Sequence, residues 1–109
     1  MIVSVGGMRL RHWTGYFRII IPTLRMRRAA KADPRCLHAD TFKEGDAFFA
    51  MSVWQDREAM ADFANAGLHG ALAPLAHRHM DFFHNHSFAS DTIPSRKEAR
   101  AIWDAAQSP

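Results

Sequence analysis

The chain has 109 residues, of which 48% are apolar and 23% charged, an ordinary globular composition that excludes wholesale disorder. A lone cysteine, Cys36, excludes an intrachain disulfide and any cysteine-based zinc cluster, and it suits a reducing compartment. The net charge of +3 is split unevenly: residues 1–35 hold eight Arg or Lys against one Asp, a balance of +7, while residues 36–109 hold six against ten acids, −4.

No zinc-finger spacing, glycine-rich phosphate loop or aromatic RNA-binding signature accompanies the basic third, so nucleic acid is not the expected partner. Apolar runs such as residues 19–22 are far too short to span a bilayer. Arg9, Arg11 and Arg18 interrupt any signal-like apolar core. The expectation is a soluble, cytoplasmic, unprocessed chain folding as one domain over residues 1–109.

Residues 8–13 set Met8, Leu10 and His12 against Arg9, Arg11 and Trp13, which predicts a first strand. Residues 16–32 repeat Phe17, Ile20, Ile21, Leu24 and Ala29 at helical spacing, predicting a helix with its arginines turned outward. Pro22 implies a kink there or a late start. Residues 36–41 read as a short second strand and "KEGD", 43–46, as a hairpin turn. "AFFAMSVW", 47–54, reads as a third strand buried on both faces, with Phe49, Met51 and Val53 on one and Phe48, Ala50, Ser52 and Trp54 on the other.

Asp56 is a good N-cap for the helix carrying Ala59, Met60, Phe63 and Ala66, which breaks at Gly67 just before His69. "MDFFHNHSF", 80–88, alternates as a fourth strand. Residues 94–105 predict a last helix capped by Ser95 with Glu98 closing a capping box, docked by Ala99, Ile102 and Trp103.

The order strand, helix, strand, strand, helix, strand and final helix is the α+β, ferredoxin-like split βαβ pattern, with a four-stranded antiparallel sheet. With helices on one face, the other face needs a cover, and a second copy related by a twofold axis is the simplest one. The expected assembly is a homodimer, a dimeric α/β barrel.

The stretch "FFAMSVWQDREAMADFANAGLHG" resembles the dimeric α/β-barrel superfamily, in particular antibiotic-biosynthesis-monooxygenase-like proteins, with some likeness to spheroidene monooxygenase. The resemblance is carried by Ser52, Trp54, Asp56, Ala59, Met60, Phe63, Gly67 and His69, by "RLRHW", and by Pro94, Ser95, Glu98 and Ala99. It implies a pocket between sheet and helices that serves cofactor-free oxygenation of phenolic substrates, heme binding and degradation, or small apolar ligands. Phe63 and Ala73 stand where the heme-degrading members carry Trp and His, and neither ligates iron, which argues against that activity.

His69, at a helix break, suits a general base or a heme ligand; the plainer reading is a cap for local carbonyls or a residue at a dimer edge. Trp54 either walls a pocket and hydrogen-bonds a substrate oxygen or is simply core. Phe63, Trp13 and Ser52 are candidate substrate contacts. So are His84 and His86, which lie two apart on one strand face. That pair lacks a carboxylate at a recognised metal spacing, so no metal site is expected. The leading expectation is a small cofactor-independent monooxygenase acting on an apolar or aromatic metabolite, with His69 and Trp54 catalytic and no cofactor. The alternatives are a heme- or small-ligand-binding dimer without turnover, and a non-catalytic dimer whose basic first helix docks a partner.

Overall fold

The computed structural model describes residues 1–45, 47–64 and 80–107; the side chains of Trp13 and residues 80–83 lie outside the description. Strand β1 (Ile2–Leu10) leads through a 3₁₀ turn (Trp13–Gly15) into helix α1 (Tyr16–Ala32). Then come β2 (Cys36–Glu44), β3 (Ala47–Trp54), α2 (Arg57–Ala64), β4 (Met80–Ala89) and α3 (Arg96–Gln107). The sheet order is β2-β3-β1-β4, every neighbour antiparallel, as the ferredoxin-like pattern requires. No described helix is long and apolar enough to cross a membrane.

Local signals account for most boundaries. Asp56 Oδ1 accepts from the Ala59 amide at 2.8 Å and starts α2. Ser95 Oγ accepts from the Glu98 amide at 3.1 Å while Glu98 Oε1 accepts from the Ser95 amide at 3.2 Å, a closed capping box at the head of α3. Gly45, at φ +61°, supplies the left-handed residue that turns β2 into β3. β3 matches its predicted bounds, and β2 runs on to Glu44, past the predicted end at residue 41. α1 passes through Pro22 and keeps its expected length; the proline costs a rung rather than the helix.

The first strand is a correction. It spans Ile2–Leu10, not residues 8–13, and is the central strand paired to both β3 and β4. Gly6 and Gly7 dilute the apolar alternation of its first half, and residue 7 must be glycine for a tertiary reason. A Cβ there would sit 2.5 Å from the Trp103 ring and 2.8 Å from the Phe49 ring.

Opposite residues in the register share a face. Val3, Val5 and Gly7 therefore stand with Val53, Met51 and Phe49, and with Phe88, His86 and His84. α3 packs on this face, adding Ala99 and Trp103 to the core built from Val3, Val5, Phe42, Phe49, Met51 and Val53. Trp103 meets Phe49 edge-on at 5.1 Å and donates its indole N–H to the His84 carbonyl at 3.0 Å. Arg96 to Asp40 (2.6 Å) and Arg100 to Glu44 (2.6 Å) fasten the helix to β2. The premise that nothing in the chain covers this face is thus overturned: α3 lies across it. α1 and α2 pack on the opposite face, where Ala30, Ala39, Trp54 and Ala59 cluster, with Met8 and Ile19 beyond.

α1 also shows a rotated face. Its buried positions are Ile19 and Ala30, whereas Phe17, Ile21 and Leu24 of the expected stripe are exposed, Phe17 by 66%. The helix is apolar on two sides, so spacing alone did not choose between them.

Candidate functional site

Between the sheet and α1 and α2 lies a hollow of about 220 Å³. Its floor is the face carrying Ser4, Gly6, Ala50, Ser52, Asn85 and Ser87, and its roof comes from Thr23, Met26, Arg27 and Ala30 of α1. Trp54, Met60, Phe63 and Ala64 close it on the α2 side. The residues of α1 are spaced i, i+3, i+4, i+7, a single helix face. Small floor residues explain the space: between Met8 and Trp54, which do reach the helices, the side chains on this face are short.

α2 is held over the hollow by a clamp. Arg35 Nη1 bonds Asp62 Oδ2 at 2.7 Å, and the same guanidinium holds Asp33 Oδ2 at 3.2 Å. Hydrogen bonds from Arg35 hold the Asp33 carboxyl below its ordinary range, and those two carboxylates push the guanidinium's own value up. Both partners are partly exposed, so the clamp orients α2 more than it stabilises it.

Trp54 is fully buried, its ring 4.9 Å from that of Phe63. Its indole N–H is spent on Ser52 Oγ at 2.9 Å, so this Trp walls the hollow and leaves hydrogen bonding to its neighbour. Having accepted that bond, the Ser52 hydroxyl keeps its own proton to donate. Likewise Asn85 Oδ1 accepts from Ser4 Oγ at 3.1 Å, leaving the Asn85 amide hydrogens for another acceptor.

Two polar atoms at the roof are orphaned. The Thr23 Oγ1 and Arg27 Nε atoms are buried, on half-buried side chains, and have no hydrogen-bond partner among the described residues. Such groups cost about 1–3 kcal/mol each, more when charged, which marks them for explanation.

Of the sequence candidates, Ser52, Trp54 and Phe63 are brought together here. His84 and His86 are not: strand alternation puts them on the α3 face and gives Asn85 and Ser87 to the hollow. His69 lies outside the described residues, as does the side chain of Trp13, whose backbone opens the 3₁₀ turn. Sequence reasoning missed Thr23, Arg27 and Asn85. The signal for the first two was the 23, 26, 27, 30 spacing, hidden by the assumption that every arginine of α1 points outward.

A second hollow of about 280 Å³ continues under the N-terminal half of α1, sharing Met8, Thr23, Thr41 and Ala50 with the first. Its walls are mainly apolar, among them Ile19, Ile20, Leu24 and Phe48. The first hollow is the better site because apolar walls and a few convergent polar groups meet in it. No histidine or cysteine among the described residues lines it. Among the described residues no group of three His, Cys, Asp or Glu gathers to hold a metal.

No family model matches the chain, and no curated protein does. Solved structures share its fold. One is an antibiotic biosynthesis monooxygenase, 18% identical, covering 86% of this chain and 100% of its own with a TM-score of 0.70. Another is a mutant of SnoaB, a cofactor-independent oxygenase from Streptomyces nogalater, 12% identical over 84% of this chain and 94% of its own, TM-score 0.69. A conserved protein from Methanosarcina mazei is 8% identical over 84% and 94%, TM-score 0.71. At such identities the likeness is one of fold.

Proposed function

We propose that the chain is a small monooxygenase-like enzyme that oxidises an apolar, aromatic metabolite in the first hollow without a resident cofactor, working as a homodimer. The observation that carries this reading is the hollow itself. Met26, Trp54, Met60 and Phe63 offer a dry, flat-walled space, and Ser52, Thr23, Arg27 and Asn85 converge on it. The fold shared with a cofactor-independent oxygenase supports the same chemistry by analogy.

The reaction asks little of the protein beyond removing a proton and excluding water. His69, taken from its place in the sequence, is the proposed base. A phenol or activated methylene that loses a proton becomes electron-rich enough to reduce oxygen directly. One oxygen atom stays on the carbon, the other leaves as water, and the substrate supplies all the electrons. Ser52 and Asn85 hold donors toward the developing oxyanion. The dimer rests on the fold, and on the part of the sheet's α3 face that the helix leaves exposed around Arg9 and His84.

Oxygen uptake with a panel of hydroquinones and anthrone-type phenols tests the reading. Uptake by the wild-type chain that falls at least about a hundredfold in His69→Ala is expected of a lost general base. No uptake on any member sinks it. Light scattering gives the mass in solution, expected at twice that of one chain.

A further inference from the structure

Arg35 is held by Asp33 and Asp62, Arg96 by Asp40, and Arg100 by Glu44 and Asp104. Arg27 differs: its Nε is buried at the roof of the hollow and meets no acceptor among the described residues. Asp40 is the one acid among the described lining residues, and its carboxylate lies on the α3 side, where it gives both oxygens to Arg96 at 2.6 and 3.0 Å. One helical turn before Arg27 on the same face, Thr23 Oγ1 is orphaned too. A cation and a hydroxyl four residues apart on one helix, both lining the same cavity, make a two-point donor set with no acceptor among the described residues.

We infer that Arg27, with Thr23, is the specificity-determining anchor for an anionic oxygen on the pocket's ligand, a carboxylate or an ionised phenolic oxygen attached to one or two aromatic rings. This rests on the reading of the hollow as a binding site for an aromatic molecule. The guanidinium offers several N–H donors in a planar fork that matches a carboxylate, and it stays charged at any physiological pH. The ring end of such a ligand lies against Trp54, Phe63 and Met60 on the α2 side. Size agrees with one or two rings: an apolar cavity of about 150 Å³ takes benzene, and this one measures about 220 Å³. The orphaned donors are a cost to the empty protein that an anion would relieve, so binding energy is concentrated on the charged end.

The test uses the quenching of tryptophan fluorescence by naphthoate, by its neutral isostere naphthylmethanol, and by para-nitrophenol as phenolate and as phenol. The wild-type chain is expected to bind naphthoate at least about tenfold more tightly than naphthylmethanol, the scale of one charge-assisted hydrogen bond. Tight phenolate and weak phenol would extend the anchor to phenolic oxygens; naphthoate alone would restrict it to carboxylates. Arg27→Gln should lose the tenfold preference yet bind the alcohol within about twofold of wild type, and Thr23→Val should lose a smaller part. Because the buried Nε has no acceptor among the described residues, Arg27→Gln should melt no lower than wild type, which a merely structural arginine would not allow. Equal binding of naphthoate and alcohol by the wild-type chain overturns the anchor and leaves the pocket standing. So does an equal loss of both in Arg27→Gln. Binding of none of the probes overturns the pocket reading as well.

Discussion

On its α3 side the sheet presents Phe49, Met51 and Val53 from β3, Val3 and Val5 from β1 and Phe42 from β2, and Trp103 fills what remains. On its other side the same strands present Ala50 and Ser52, Ser4 and Gly6, and Ala39 and Thr41, and a hollow of about 220 Å³ remains under the helices. The two faces are one residue out of step along each strand, so the chain could have filled both. A packed face earns stability by area buried, whereas a face of small and hydroxyl residues forgoes it. The difference separates the half of the protein that holds it together from the half that has room for a guest.

The sharpest way to break the comparison is to empty the packed side. Trp103→Ala removes the side chain that seats on Gly7 and Phe49 and donates to the His84 carbonyl. A loss of about 3–5 kcal/mol in unfolding free energy is expected, as for other buried large-to-alanine changes. Urea melts followed by circular dichroism measure it. A loss near zero would mean that α3 does not carry that face, and that a second copy covers it instead.

On both faces the sequence made short-range patterns legible and long-range ones not. β3, the Asp56 cap and the Ser95–Glu98 box were readable because each is a short-range pattern whose meaning is complete within eight residues. The ferredoxin-like order follows from a few such elements. What could not be read depends on partners distant in the chain. Gly7 looked like a weak strand residue because Trp103, which requires it, is 96 positions away. The inward turn of Arg27 was hidden because Phe17, Ile21 and Leu24 advertise the wrong side of α1. Ser52, Trp54 and Phe63 were found as site residues since they sit around one strand-to-helix turn. Asn85 was passed over for its histidine neighbours, because periodicity pairs His84 with His86 without saying which way the strand faces.

A smaller effect sharpens the comparison from the hollow side. Ala50 borders both cavities. Ala50→Leu should occupy space rather than displace core, leaving stability within about 1 kcal/mol of wild type, since added buried methylenes offset any crowding. Naphthoate quenching should then fall by at least about tenfold. A destabilisation of about 1–3 kcal/mol would show that this face is packed as tightly as the other, since overfilled cores behave so.

The smallest effect concerns how α3 is fastened rather than how it packs. The Asp40 carboxyl is held below its ordinary value of 3.8, first by its hydrogen bonds to Arg96 and against the opposing pull of burial. A carboxylate depressed in the folded state stabilises it wherever the unfolded group is already ionised, and that contribution is lost as pH falls through the folded value. Asp40→Asn should therefore lower the melting temperature by a few degrees at most near neutrality, since Arg96 is 60% exposed and solvent screens the pair. Below the lowered folded-state value the two proteins should melt together, because the wild-type group is then protonated in the folded chain too and Arg96 has lost its charged partner. If the gap instead persists at low pH, the aspartate acts through neutral hydrogen bonds to β2 and α3, and the charge of the Asp40–Arg96 pair adds nothing to the hold that Trp103, Ala99 and the Arg100–Glu44 pair have on the sheet.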